Sequence, residues 1–131
     1  MNLADLKVLL LEDNVYKRID IKSALSLYGI KNIVCVDYVQ AGLEAVKDSL
    51  KEEPFGLIIT DMNYPMERIG GVVSDAGKQL IQKLQAEGID IPIILCSSIP
   101  YNIPGILGTV WYDERRDLNR DIKELLDKMP K

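Results

Sequence analysis

The feature that most constrains this chain is a series of short, nearly unbroken apolar runs separated by stretches of helical spacing. The runs are Leu6 to Leu11 (LKVLLL), Ile33 to Val36 (IVCV), Phe55 to Thr60 (FGLIIT), Ile91 to Cys96 (IPIILC) and Thr109 to Tyr112 (TVWY). Each has strand length and none alternates polar with apolar, as a strand buried on both faces requires. The intervening stretches read as helices. Val15 to Tyr28 places Val15, Ile19, Ile21, Leu25 and Leu27 toward one side and ends at Gly29. Val39 to Leu50 closes before Pro54, and Ser74 to Ala86 stops at Gly88. Asp117 to Met129 presents Leu118, Ile122, Leu125 and Leu126 as an apolar face. Strands alternating with helices predict an α/β fold with one parallel sheet covered on both faces.

The length of 131 residues suits a single domain, expected to span 1–131. No apolar run approaches the roughly 20 residues that span a bilayer, and Asp5 and Lys7 interrupt any signal-like start, so a cytoplasmic location without membrane contact is expected. The net charge is −4 and only Arg115 and Arg116 are adjacent cations, which argues against nucleic-acid binding by this chain alone. Cys35 and Cys96 each lie in an apolar run and read as small buried hydrophobes rather than a disulfide or metal pair. There is no histidine, which excludes Ser-His-Asp triads, Cys-His pairs and histidine-ligated metals. Chemistry has to run on carboxylates, hydroxyls and basic side chains.

Three carboxylates fall where strands end: Glu12 and Asp13 after the first, Asp61 after the third. Ligands of open doubly wound sheets bind at the carboxyl ends of the strands, at the switch point. The flavodoxin-like order 2-1-3-4-5, borrowed from known sheets of this kind, makes strands one and three neighbours and brings the three carboxylates together. Such a group repels itself unless a cation joins it, and an all-oxygen set suits Mg²⁺. Taken singly, each has a plainer role: Asp13 or Asn14 as a helix cap, Asp61 as a loop residue. Ser97, or Ser98 beside it, is placed to hydrogen-bond a phosphoryl oxygen, or else simply to begin a loop.

The segments Val8–Asn14 (VLLLEDN), Ile58–Met66 (IITDMNYPM) and Pro92–Ser98 (PIILCSS) resemble the receiver domain of two-component response regulators. The resemblance covers the chain to about Ser98 and, more loosely, from Gly108 onward. It implies a phosphoacceptor at Asp61, Mg²⁺ held by Glu12, Asp13, Asp61 and the backbone carbonyl of Asn63, and a phosphoryl contact at Ser97. It implies a histidine kinase or phosphotransfer protein as donor, an unidentified protein as output partner, and a self-phosphorylating module rather than a turnover enzyme.

Three departures stand out. The family's strand-five lysine is missing, and Tyr112 falls at its position when Gly108 is matched to the family's glycine, with Arg115 the nearest cation if the register slips. Residues 67–74 look inserted, and Gly70-Gly71 suggests a mobile loop beside the site that could carry the signal. Between Ser97 and Gly108, Pro100 and Pro104 leave a fourth helix shortened or absent. The alternative is therefore a pseudo-receiver, an interaction module without phosphotransfer. A flavin carrier is disfavoured by the acidic Glu12-Asp-Asn-Val-Tyr-Lys17 turn, and a haloacid-dehalogenase-type phosphatase by Asn63 where a second Asp is wanted.

Overall fold

The structure is a computed structural model and describes residues 2–130. A 3-10 turn, Leu3–Asp5, leads into strand β1 (Lys7–Leu11), and the chain then runs α1 (Val15–Leu27), β2 (Asn32–Val36), α2 (Val39–Ser49) and β3 (Leu57–Thr60). A two-strand excursion, β4 (Tyr64–Pro65) and β5 (Val72–Val73), precedes α3 (Ala76–Ala86), β6 (Ile93–Ser97), β7 (Gly108–Trp111) and α4 (Leu118–Leu126). The main sheet is parallel throughout, in the order β2-β1-β3-β6-β7. This is the expected flavodoxin-like order, with β1 and β3 adjacent.

Strands β1, β3 and β6 are buried almost completely, which is why their sequences carry no alternation. Two apolar clusters lie on opposite faces of the sheet. Val8, Leu10, Ile21, Leu25, Ile59 and Ile122 belong to the one under α1 and α4. Leu9, Leu11, Val46, Ile58, Tyr64 and Leu80 belong to the one under α2 and α3. Alternate residues of β1 thus feed different clusters, as the period of two along a strand demands.

Two expectations need correction. Helix α1 does not bury the face anticipated from its apolar residues. Val15 is 52% exposed and Ile19 54%, and Leu27 is exposed too, while Lys17, Ile21, Ala24 and Leu25 are buried. The spacing 17, 21, 24, 25 is the true helical stripe, and it contains a lysine. The inserted segment is also flanked by short strands that the sequence pattern does not announce, with Gly70 and Gly71 in the irregular turn between them. Tyr64 pairs with Val73 and Pro65 with Val72 in a short antiparallel ribbon. Tyr64 is fully buried beneath it, and Gln40 N–H donates to the Met66 carbonyl, which ties the ribbon to α2. Between β6 and β7 there is no helix, in keeping with the two prolines, so among the described residues four α-helices cover the five-stranded sheet.

Candidate functional site

The carboxyl ends of β1 and β3 set two acidic side chains side by side. Leu11 and Thr60 are register partners, so Glu12 and Asp61 leave the sheet as neighbours. The Asp61 N–H still donates to the Leu11 carbonyl, and the Glu12 N–H to that of Val36. Glu12 is buried, Asp61 half-buried and Asp13 exposed, and each offers one carboxylate oxygen to a set lying within 4.8 Å. A depression of about 450 Å³ opens here, lined by Glu12, Asp13, Asn14, Tyr16, Lys17, Asp61, Ser98 and Tyr112. A larger one, about 570 Å³, lies across Tyr112 between α1 and the start of α4. It lacks the converging carboxylates, so the smaller depression is the chemical site.

Backbone geometry around Asp61 is tightly specified. Asp61 Oδ1 accepts from the Met62 N–H at 2.7 Å. Thr60 Oγ1 lies 2.8 Å from both the Asp61 carbonyl and the Tyr64 hydroxyl. Thr60 has one proton, which goes to the carbonyl, so Tyr64 donates to Thr60. Gly77, at the start of α3, gives its N–H to the Met62 carbonyl at 2.9 Å. A Cβ at Gly77 would stand 2.1 Å from the Asp61 carbonyl oxygen, so only glycine lets α3 come this close.

The cation of the site is Lys17. Its Nζ lies 2.8 Å from Glu12 Oε1 and 3.0 Å from Asp61 Oδ1, and donates to the Cys96 carbonyl at 2.7 Å. Its side chain is only 9% exposed. Asn14 caps α1 by accepting from the Lys17 N–H at 3.0 Å, which fixes the helix start. Helical side chains lean toward the N-terminus, so a residue in the first turn of α1 reaches back over the strand ends. Lys17 stands four residues before Ile21, on the buried stripe of α1, but the exposed apolar residues Val15, Ile19 and Leu27 drew the expected face elsewhere.

Burial raises the Glu12 pKa, a push that Lys17 opposes and the Asp61 charge reinforces. Burial lowers that of Lys17, yet its anionic neighbours outweigh this and the net shift is upward. Cys96 stands among those neighbours, but its thiol is pushed by burial up to about 12 and is neutral near pH 7. Glu12 and Asp61 are the effective partners, and Lys17 is charged. Glu12 Oε2 accepts from the Asn14 N–H at 3.1 Å. Glu12 Oε1 is buried and accepts no well-directed hydrogen bond, its contact with Lys17 being an ion pair without hydrogen-bond geometry.

The remaining candidate residues fall as follows. Tyr112 follows β7, gives its hydroxyl to Asp20 on α1 and lies with its ring 5.3 Å from Lys17 Nζ. Burial and Asp20 raise its pKa to about 12, so it is a neutral phenol. Arg115 is engaged outside the depression, with Nε 2.8 Å from Asp113 Oδ1 and its guanidinium over Trp111. Ser97 is buried, and its Oγ accepts from the Ile99 N–H at 3.3 Å, whereas Ser98 is exposed and lines the depression. Asn63 is half-buried two residues beyond Asp61. Both cysteines are free; Cys96 is buried as expected, whereas Cys35, on an edge strand, is only half-buried.

The donor set suits a hard divalent ion. It is all oxygen, it includes the buried Glu12 Oε1 that lacks a directed donor, and Asp13 is exposed at its rim. Lys17 already contacts one oxygen of Glu12 and one of Asp61.

Strand order, strand-end acidic residues and crossover helices together define a receiver fold. The chain matches no protein-family model and no curated protein sequence. Solved structures do match. A sensor protein from Polaromonas sp. JS666 is 21% identical, with a TM-score of 0.69 over 96% of this chain and 99% of that one. The chemotaxis response regulator CheY4 of Vibrio cholerae is 15% identical, with a TM-score of 0.68 over 95% and 98%. The receiver domain of the histidine kinase CKI1 from Arabidopsis thaliana, solved with Mg²⁺ and BeF₃⁻, is 20% identical, with a TM-score of 0.65 over 95% and 92%. The chain therefore has the fold of response-regulator receiver domains, along nearly its whole length. No helix among the described residues is long and apolar enough to cross a membrane.

Proposed function

We propose that this chain is a phosphoacceptor signalling domain in which Asp61 receives a phosphoryl group. The observation that carries this reading is the convergence of Glu12, Asp13 and Asp61 within 4.8 Å at the strand ends of a receiver fold. Asp61 Oδ1 is occupied by Lys17 and the Met62 N–H, which orients the carboxylate and leaves Oδ2 as the nucleophile. Attack of Oδ2 on phosphorus forms the acyl phosphate and breaks the bond to the donor, whose leaving nitrogen or oxygen keeps the electron pair. Water later cleaves the acyl phosphate and restores the carboxylate.

Mg²⁺, held by Glu12, Asp13, Asp61 and the Asn63 carbonyl, would supply neutralisation of phosphoryl charge. Lys17 supplies fixed positive charge from the protein. A hydroxyl from Ser98 at the rim, or from Ser97 after a side-chain turn, donates to a phosphoryl oxygen. The donor is a histidine kinase or phosphotransfer protein, and the output is a protein contact.

Two observations favour the second reading, a pseudo-receiver without phosphotransfer: the site already holds an internal cation, and β7 ends without a lysine. Incubation with Mg²⁺ and a small acyl phosphate, read by intact mass, separates the two. A labile gain of one phosphoryl group, abolished in Asp61→Asn, is the expected result. No gain in the unmodified protein selects the pseudo-receiver.

A further inference from the structure

Lys17 is placed unlike an ordinary surface lysine. Its ammonium lies within 3.0 Å of three oxygens, from the ends of β1, β3 and β6: it donates to the Cys96 carbonyl and forms ion pairs with Glu12 Oε1 and Asp61 Oδ1. The Tyr112 ring flanks it, and Tyr112 is itself hydrogen-bonded to Asp20, one turn along α1. The ammonium is therefore held at both ends of its environment, by the strand ends below and by α1 and Tyr112 around it. Two of its three acceptors are carboxylate oxygens of the acidic set. A charge in that place lowers the attraction of the site for any second cation and occupies oxygens that the second cation would use.

We propose that Lys17 is a built-in counter-ion of this site, carried on α1, that competes with a divalent metal for Glu12 and Asp61. The assignment deepens the phosphoacceptor reading, because a site with its own cation binds metal weakly until the lysine yields. The competition itself needs no phosphorylation. Metal entry then requires the Lys17 ammonium to withdraw from Glu12 Oε1 and Asp61 Oδ1.

The test is calorimetric titration of the full chain with MgCl₂ alone, comparing the unmodified protein with Lys17→Met. Methionine keeps the length and apolar stem and removes the charge. Mg²⁺ affinity is expected to rise by about tenfold or more in K17M. A merely structural lysine would give the opposite sign, because a loosened site binds metal less well. Glu12 loses its buried partner in K17M, so Lys17→Gln, which keeps a donor, is measured alongside and read in its place if K17M melts below the titration temperature. Unchanged or weaker Mg²⁺ binding in the folded variant overturns the proposal, as does absence of Mg²⁺ binding in every protein. Labelling with a small acyl phosphate at saturating Mg²⁺ keeps the two hypotheses apart. Tighter Mg²⁺ binding in K17M with no labelling of any protein refutes the phosphoacceptor reading and leaves the counter-ion standing. Labelling of the unmodified protein with no gain in Mg²⁺ affinity does the reverse.

Discussion

The segments after β3 and after β6 both border the acidic site, and they are built in opposite ways. After β3 the chain pairs Tyr64–Pro65 with Val72–Val73 across an irregular turn, with Tyr64 buried and hydrogen-bonded to Thr60. After β6 residues 98–107 form no helix and no strand. They are held instead by scattered ties, the Leu107 N–H to the Ile93 carbonyl at 2.8 Å and the Trp111 indole to the Ser98 carbonyl at 2.9 Å. Ile99 in this second segment is half exposed, at 52%. The difference teaches that order near this site follows from one buried anchor, rather than from the count of glycines or prolines in a segment.

The sharpest way to break that comparison is to remove one large side chain from each segment. Tyr64→Ala is expected to cost about 4 kcal/mol, in the range for deleting a buried aromatic side chain. Ile99→Ala should stay within about 0.5 kcal/mol, as for an exposed position. Denaturant unfolding of both variants measures this, and equal costs would show that the two segments are anchored alike.

A smaller effect is expected where α3 meets Asp61. Gly77→Ala forces a Cβ against the Asp61 carbonyl oxygen, a backbone atom that cannot swing away. Overpacking of this kind costs about 3 kcal/mol, and acyl-phosphate labelling should fall with it because the Asp61 backbone is displaced. Wild-type stability in G77A would mean that α3 docks more loosely than the ribbon before it.

The smallest effect concerns Cys96, at the end of β6. Its thiol titrates near the ordinary 9.0 in the unfolded chain but is raised to about 12 when folded. The folded state then holds the proton longer, so stability falls as pH rises through that window. The loss is about 1.4 kcal/mol between about pH 8 and about pH 10, and it should be absent from Cys96→Ala. Parallel curves for the two proteins would show that β6 opens to solvent at its end. Thiol reagents near neutral pH should also modify the half-buried Cys35 before the buried Cys96.

The fold was legible because its central strands, β1, β3 and β6, are buried on both faces and announce themselves as continuous apolar runs, while the edge strands β2 and β7 are equally apolar in sequence but partly exposed. Glu12, Asp13 and Asp61 were legible because strand ends in this architecture converge. Lys17 was not. Val15, Ile19 and Leu27 of α1 are apolar yet exposed, and they drew the helical face away from the lysine that is buried. A buried charge contradicts the usual rule for helix faces, and only its partners, Glu12 before it and Asp61 far along the chain, make it tolerable. The ribbon was missed for a related reason. Gly70 and Gly71 suggest freedom, whereas order is imposed by Tyr64, whose partner Thr60 belongs to β3.

Trp111 is the sole tryptophan of the chain. Its indole donates to Ser98 at the rim of the acidic depression, and the Arg115 guanidinium lies 4.9 Å from its ring. Light absorbed near 295 nm is therefore emitted from one known place, between a carbonyl dipole and a cation. The colour and lifetime of that emission report the end of β7 where it meets Ser98 and Arg115, so the protein carries its own dye beside the segment with the least regular structure.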